Sequence, residues 1–326
     1  MQLIDPGLAP ADQTMDVLQG KRLVFLVGAS RSGTTWLQRL LTNSPEAASA
    51  FETHLFSGYL RSSLEKWQSW CEIDHVMGLH RLISAEEYFV SIRDCAASIL
   101  AKVTKEKPDA RFIIEKTPAH SAFAREILDM FPDAMFIHLV RDPRAVVSSL
   151  LAASRTWASD IKGISTAEAC EIWTRSVEGS RAIRDMTPNY YEVKYEVVLA
   201  EGAKAFAEIA NWVGLSLTAD ECKSIIERNA FDRMKAEGDS SGDAVGKLPD
   251  SFFRSGTTSA WKKDLSVAQV AMIENMAGPL MQQFGYVPET TGHLAKAEGA
   301  AMLAGAFLRQ RVKWRLMRWG RRLWLT

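Results

Sequence analysis

Between Gly28 and Trp36 the chain reads GASRSGTTW, directly after the apolar run LVFLV. Glycines at both ends of a run of small and hydroxyl residues let the backbone curl. Successive N–H groups, with the positive end of the following helix, can then face an anion. Gly28 and Gly33 have the spacing of a nucleoside-triphosphate loop, but Thr34 stands where such a loop carries its lysine, and Thr35 follows. That lysine bridges the β- and γ-phosphates beside magnesium, so its loss argues against ATP or GTP hydrolysis. The loop's cation is instead Arg31, inside the turn, and Ser32, Gly33, Thr34, Thr35 and Trp36 complete the candidate anion cradle.

A second anion motif is RDPRAVVSS, Arg141 to Ser149, after the run MFIHLV. Asp142 is placed to cap the next helix and Pro143 suits its first turn. Arg141 then stands at a strand's carboxyl end and Ser149 lies about two turns further on. One guanidinium and one hydroxyl converging on one point suit a second phosphate, away from the first loop. A third cation, Lys116 in IIEKTPAH, falls just past another apolar run.

These residues need a scaffold, and the sequence supplies one. Apolar runs at 23–27, 111–114, 135–140 and, more weakly, 190–195 read as strands. Helical stretches lie between them, beginning with TTWLQRLL at 34–41. Several open on a capping box: Ser84 with Glu87, Ser165 with Glu168, Thr218 with Glu221 and Ser266 with Gln269. Strand–helix alternation predicts an α/β, P-loop-containing three-layer fold, with a central parallel sheet flanked by helices. Ligands collect at the carboxyl ends of the strands in such sheets, where these motifs fall. Residues 1–20 read as an extension, 21–290 as the domain and 291–326 as a basic tail. A long Gly/Ser/Asp-rich loop occupies 236–260.

Lys plus Arg and Asp plus Glu are both 39 in 326 residues, so no global charge draws the chain to nucleic acid. The balance hides a split: 301–326 holds seven basic residues and no acid. Leu308, Val312, Leu316, Trp319 and Leu323 fall on one side of a helical projection and the arginines on another. That pattern suits an anionic membrane surface. The four cysteines are scattered and no metal-ligand cluster is visible, so no metal is expected. No apolar run is long enough to span a bilayer, and the acidic start is unlike a secretory signal. The expectation is a cytoplasmic protein, associated with membrane through its tail.

Taken together, these motifs resemble the sulfotransferase family that uses 3′-phosphoadenylyl sulfate (PAPS), over residues 22–286. GASRSGTTW is similar to the family's 5′-phosphosulfate loop and RDPRAVVSS to its 3′-phosphate motif, matching at Arg141 and Ser149. The resemblance implies that Tyr195, in VKYEVVL, helps hold the adenine. FRSGTTSAWKKDLS resembles a late cofactor motif, with Arg254, Gly256, Trp261 and Lys262, though Ser255 replaces the family's usual lysine. The implied donor is PAPS, the implied acceptor a hydroxyl on a glycan, glycolipid or small molecule. Arg31 and Lys116 would stabilise the transferring group.

The resemblance also implies the base. SAFETHLF resembles a segment of glycan-type sulfotransferases in which the glutamate takes the acceptor's proton, which points to Glu52. A carboxylate serves there if burial raises its pKa. His120 and His54 are the alternatives, although Pro118 interrupts the histidine pattern of the cytosolic type. Aromatic residues Phe56, Tyr59, Trp67 and Trp70 could contact an acceptor, yet such a stripe is commonly core. Two other readings remain: a nucleotide or small-molecule kinase, which Thr34 opposes, and a nucleotide-binding membrane adaptor without catalysis, which Arg31 and Lys116 oppose.

Overall fold

A computed structural model describes residues 22–50, 52–73, 76–230, 257–290, 292–293 and 297–305. Five parallel strands form one sheet in the order β2-β3-β1-β4-β5. They are β1 Arg22–Val27, β2 Ala47–Ser49, β3 Phe112–Glu115, β4 Met135–Val140 and β5 Tyr190–Lys194. The four strands expected from apolar runs are all present. The fifth, β2, is an addition to them: its residues AAS make no apolar run. Pairing with β3 defines it, and Ser49 Oγ donates to Ile114 O while accepting from Gln38 Nε2.

The main helices are α1 Thr34–Thr42, α2 Arg61–Glu72, α3 Ala85–Ala101, α4 Ala124–Met130, α5 Pro143–Thr156, α6 Thr166–Ala182, α7 Tyr195–Glu201, α8 Ala203–Val213, α9 Ala219–Arg228, α10 Trp261–Asp264 and α11 Val267–Gln283. Each of the four expected capping boxes forms, at α3, α6, α9 and α11. These boxes satisfy N–H groups that a helix leaves open at its start, which is why the helix starts are readable from sequence.

The described parts of the chain divide into two compact units. The first holds the sheet. Alternate residues of β1 point to opposite faces, as the pleat requires. Val24 and Leu26 pack with Leu37, Leu40, Phe206, Ile209 and Ile225, beneath α1 and α7 to α9. Leu23, Phe25 and Val27 pack with Phe56, Ala97, Leu100 and Ile127 on the other face. This is the expected three-layer arrangement.

The second unit comprises described residues of Ala29–Ser32, Arg141–Arg175 and Pro249–Thr326. Its polar centre is Arg144. The buried guanidinium pairs with Asp142 at 2.7 Å and Glu274 at 2.8 Å, and lies 4.3 Å over the Trp261 ring. It also donates to Val287 O, and Glu274 accepts from the N–H groups of Glu289 and Thr290. One arginine thus ties the start of α5 to α10, α11 and the strand of chain after them. Removing one member of a buried, hydrogen-bonded charge cluster leaves the others unpaired. Arg144→Met should cost about 3–5 kcal/mol, read as a lower urea midpoint. A loss below about 1 kcal/mol would show that the cluster is not a structural keystone.

Candidate functional site

The chain leaves β1 at Gly28 and enters α1 at Thr34 through three left-handed positions: Gly28 (φ 141), Arg31 (φ 73) and Gly33 (φ 98). At Gly28 a Cβ would sit 2.4 Å from Leu139 O, and at Gly33 it would sit 2.6 Å from the Tyr195 ring. Glycine is therefore required twice, for conformation and for room. Gly33 is also the N-cap of α1 and offers no side chain to its first amides, which leaves them directed outward as anion donors. Ser32 is buried, and its Oγ has no hydrogen-bond partner among the described residues. A buried hydroxyl of this kind, in a glycine-bounded turn, suits donation to an oxyanion.

Arg31 is the non-glycine member of that loop in a disfavoured conformation. Three contacts hold it: Nε donates to Ser149 Oγ at 3.1 Å, the guanidinium lies 5.4 Å from the Trp157 ring centroid, and its carbonyl accepts from Arg141 Nη1 at 3.2 Å. Arg141 also donates to Thr257 O, and its own carbonyl accepts from Trp173 Nε1. Arg141 and Ser149 thus both contact Arg31, one at its carbonyl and the other at its side chain, rather than standing away from the first loop. Trp157 and Trp173 carry no sequence signal, since neither sits in a motif.

Tyr195, at the start of α7, packs edge-on to Trp36 with centroids 5.5 Å apart, and Trp36 Nε1 donates to Asn229 O at 3.0 Å. Asp142 caps α5 by accepting from Arg144 N. Arg254 and Gly256 lie outside the described residues, as do most of 236–260, residues 1–20 and the tail beyond 305.

At the end of β3, Lys116 is not a solvated lysine: only 1% of its surface is exposed, and Nζ donates to Glu52 Oε1 at 2.5 Å. The second carboxylate oxygen of Glu52 lies 3.6 Å from His54 Nε2. Glu52 keeps 28% of its side-chain surface, so it is an ion-paired, partly exposed carboxylate rather than one enclosed in an apolar pocket. His54 adopts a left-handed backbone (φ 50) rather than an extended one, yet still reaches that carboxylate.

His120 lies apart from this pair in role. It is fully buried; Nδ1 sits 2.8 Å from Glu115 Oε2, and Nε2 accepts from Phe56 N–H. Sequence reasoning misses Glu115, though a carboxylate closing the otherwise apolar strand FIIE is a signal for it. Phe56 is core rather than an acceptor contact, Trp67 stacks on Tyr88 at 4.0 Å, and Tyr59 is 72% exposed. No grouping of three or more His, Cys, Asp or Glu among the described residues could hold a metal ion.

A parallel sheet with a glycine-bounded loop after its first strand, and a second arginine motif after β4, defines a P-loop-type α/β fold. Residues 24–220 match the model of the sulfotransferase family, and the chain belongs to that family. It is 25% identical over 200 residues to protein-tyrosine sulfotransferase 2 of Gallus gallus, covering 60% of this chain and 51% of that one. With protein-tyrosine sulfotransferase 1 of Rattus norvegicus it shares 27% over 176 residues, covering 52% and 44%. The chain thus spans about half the length of these relatives. Among solved structures, mouse sulfotransferase SULT7A1 complexed with PAP aligns with a TM-score of 0.53 at 14% identity, over 89% of this chain and 94% of that one. The sulfotransferase domain from the Synechococcus PCC 7002 olefin synthase gives 0.53 at 19%, over 82% and 96%. Those two likenesses establish the fold.

Glu115 links the site to acid stability. Burial alone would raise its pKa, but hydrogen bonds from His120, Thr53 and Thr117 outweigh this and hold it below the ordinary 4.5. A carboxylate lowered in the folded state contributes stability that is complete above its unfolded value, and this is lost as pH falls through the folded one. Urea midpoints should therefore fall as pH drops below about 4.5, and Glu115→Gln should flatten that slope. An identical slope in the variant would show that Glu115 does not carry it.

Proposed function

We propose that this protein is a sulfotransferase that moves a sulfuryl group from PAPS to an acceptor hydroxyl. The observation that carries the reading is the convergence of Arg141 and Ser149 on Arg31 within the phosphate loop. It joins the loop, through the Arg31 side chain and carbonyl, to a separate arginine–hydroxyl motif. A donor with both a 5′-phosphosulfate and a 3′-phosphate calls for such a pair.

When bound, PAPS supplies the sulfuryl group and takes the S–O bonding electrons onto its phosphate. The amides at the start of α1, with Ser32, Thr34 and Thr35, receive the 5′ end, and Arg141 and Ser149 the 3′-phosphate. Trp36 and Tyr195 flank the base of the nucleotide. Glu52 accepts the acceptor's proton as its oxygen bonds to sulfur. Lys116, paired with Glu52, offsets the charge that builds on the transferring oxygens, and Arg31 is the cation of the phosphate loop. Glu52 is favoured over His120 because it is partly exposed, whereas both ring nitrogens of His120 are engaged. The names of the relatives put the phenolic hydroxyl of tyrosine first among acceptors to try, ahead of glycan, glycolipid and small-molecule hydroxyls.

Binding and transfer test the reading separately. Adenosine 3′,5′-bisphosphate should bind more tightly than AMP or ATP by calorimetry without magnesium, and Arg141→Ala should remove that preference. With isotopically labelled PAPS and tyrosyl peptides, Glu52→Gln should lower kcat on the order of a hundredfold while nucleotide binding persists. Equal affinity for the three nucleotides would overturn the donor assignment. Near-normal turnover by Glu52→Gln would overturn the base.

The tail extends the proposal to location. Seven basic residues and no acid in 301–326 support contact with an anionic membrane surface by a cytoplasmic protein, and the four free cysteines fit that reducing setting. The full chain should sediment with phosphatidylserine vesicles at low salt, and deletion of 301–326 should abolish this without changing nucleotide affinity. Indifference of the full chain to such vesicles would remove the membrane role.

A further inference from the structure

The segment that carries Glu52 is fastened, amide by amide, to the segment that carries Lys116. Thr53 donates to Glu115 Oε1 through both its N–H, at 3.4 Å, and its hydroxyl, at 2.7 Å. His54 N–H donates to Thr117 Oγ1 at 3.3 Å. Leu55 N–H turns back to Thr53 Oγ1 at 3.1 Å, and Phe56 N–H donates to His120 Nε2 at 3.2 Å. Four consecutive amides thus each meet a side chain, three of them from the short run Glu115–His120. Thr117 Oγ1 also donates to Glu115 Oε1 at 2.8 Å, which closes the network.

Bond direction fixes the protons. An amide only donates, so His120 Nε2 must carry the lone pair. The neutral ring then bears its proton on Nδ1, which donates to Glu115 at 2.8 Å. His120's lone pair is therefore already used. It cannot take a proton from an acceptor without releasing Phe56 N–H, and its ring is fully buried.

The fastening also has strain to oppose. His54 has φ 50, a conformation that costs a non-glycine residue on the order of 1 kcal/mol or more. That residue swings the chain from Glu52 into the π-helical turn Leu55–Leu60. Released, it would relax, and Glu52 would leave its register with Lys116.

The geometry points to Glu115, Thr117 and His120 as positioning residues that lock Thr53–Phe56 and so aim the Glu52 carboxylate. The assignment rests on the reading of Glu52 as the base. His120 acts through the Phe56 amide and never touches the acceptor.

Three substitutions at His120 separate positioning from proton transfer. Gln can place its amide oxygen where Nε2 accepts from Phe56 N–H but cannot serve as a base. Asn keeps a donor toward Glu115 but loses that acceptor, and Ala loses both. Amide hydrogen exchange of the full chain, with β1 and β4 as internal reference, should show faster exchange at residues 53–56 in Ala and Asn, restored in Gln. Labelled PAPS and a tyrosyl peptide should show kcat falling on the order of ten- to a hundredfold in Ala and Asn. It should recover largely in Gln, with affinity for adenosine 3′,5′-bisphosphate within about twofold throughout.

If Gln is as inactive as Ala while residues 53–56 keep wild-type protection, His120 is a proton carrier and the proposal fails. Unchanged exchange in all three variants overturns it equally. Absence of transfer to any acceptor by the wild-type chain would sink the sulfotransferase reading instead, and the exchange data would still decide whether His120 holds the segment. An Ala variant that does not fold leaves Asn and Gln, whose contrast tests the same point.

Discussion

A lysine ammonium with almost no exposed surface has to keep a counterion, because an unpaired charge in that position would cost several kcal/mol. Lys116 has one in Glu52. The constraint then propagates. Glu52 lies in a stretch without regular secondary structure, after β2 and before a π-helical turn. Nothing in the regular hydrogen bonding of helix or sheet fixes such a stretch. Its amides must find partners elsewhere, and those offered are the side chains immediately around Lys116. Buried cation, irregular segment and polar network therefore depend on one another, and all three are anchored by β3, a strand in the interior of the sheet.

The phosphate loop meets a related problem differently. Thr34 stands in place of its lysine, and the positive charge moves to a residue in a left-handed conformation, Arg31. Glycine would adopt that backbone freely; arginine does so at a cost. The compensation is visible in the same residue: a hydrogen bond to Ser149, the Trp157 ring and the bond from Arg141 to its carbonyl. The charge is thereby fixed within the turn itself rather than carried on the following helix.

What is legible in the sequence follows from how each feature encodes itself. β1, β3 and β4 are apolar runs because both faces of a parallel sheet are covered, and the four capping boxes are written within four residues each. The phosphate motifs are local as well, so residue type and spacing alone single out Arg31, Arg141 and Ser149. β2 is hidden because three small residues become a strand only through pairing with β3. The tie between Thr53 and Glu115, and that between the His54 amide and Thr117, are hidden because the partners lie more than sixty positions apart and an amide has no residue type to read. His120 shows the hazard of the opposite kind: its residue type and nearness to Lys116 suggest a base, whereas its surroundings use both nitrogens.

The two buried ionic networks differ in what they protect. Around Arg144 every partner is a structural element, so loss of the arginine should register as lost stability. The Glu115 network ends instead on a partly exposed carboxylate paired with a buried lysine. Its bonds to backbone amides replace ones that an unfolded chain makes to water, so the net gain in stability from each of those is modest. What water cannot supply is direction. A carboxylate paired with a buried cation depends on the direction in which its segment is held. The four amides therefore fix where the Glu52 carboxylate lies against Lys116, even though each bond adds little to stability.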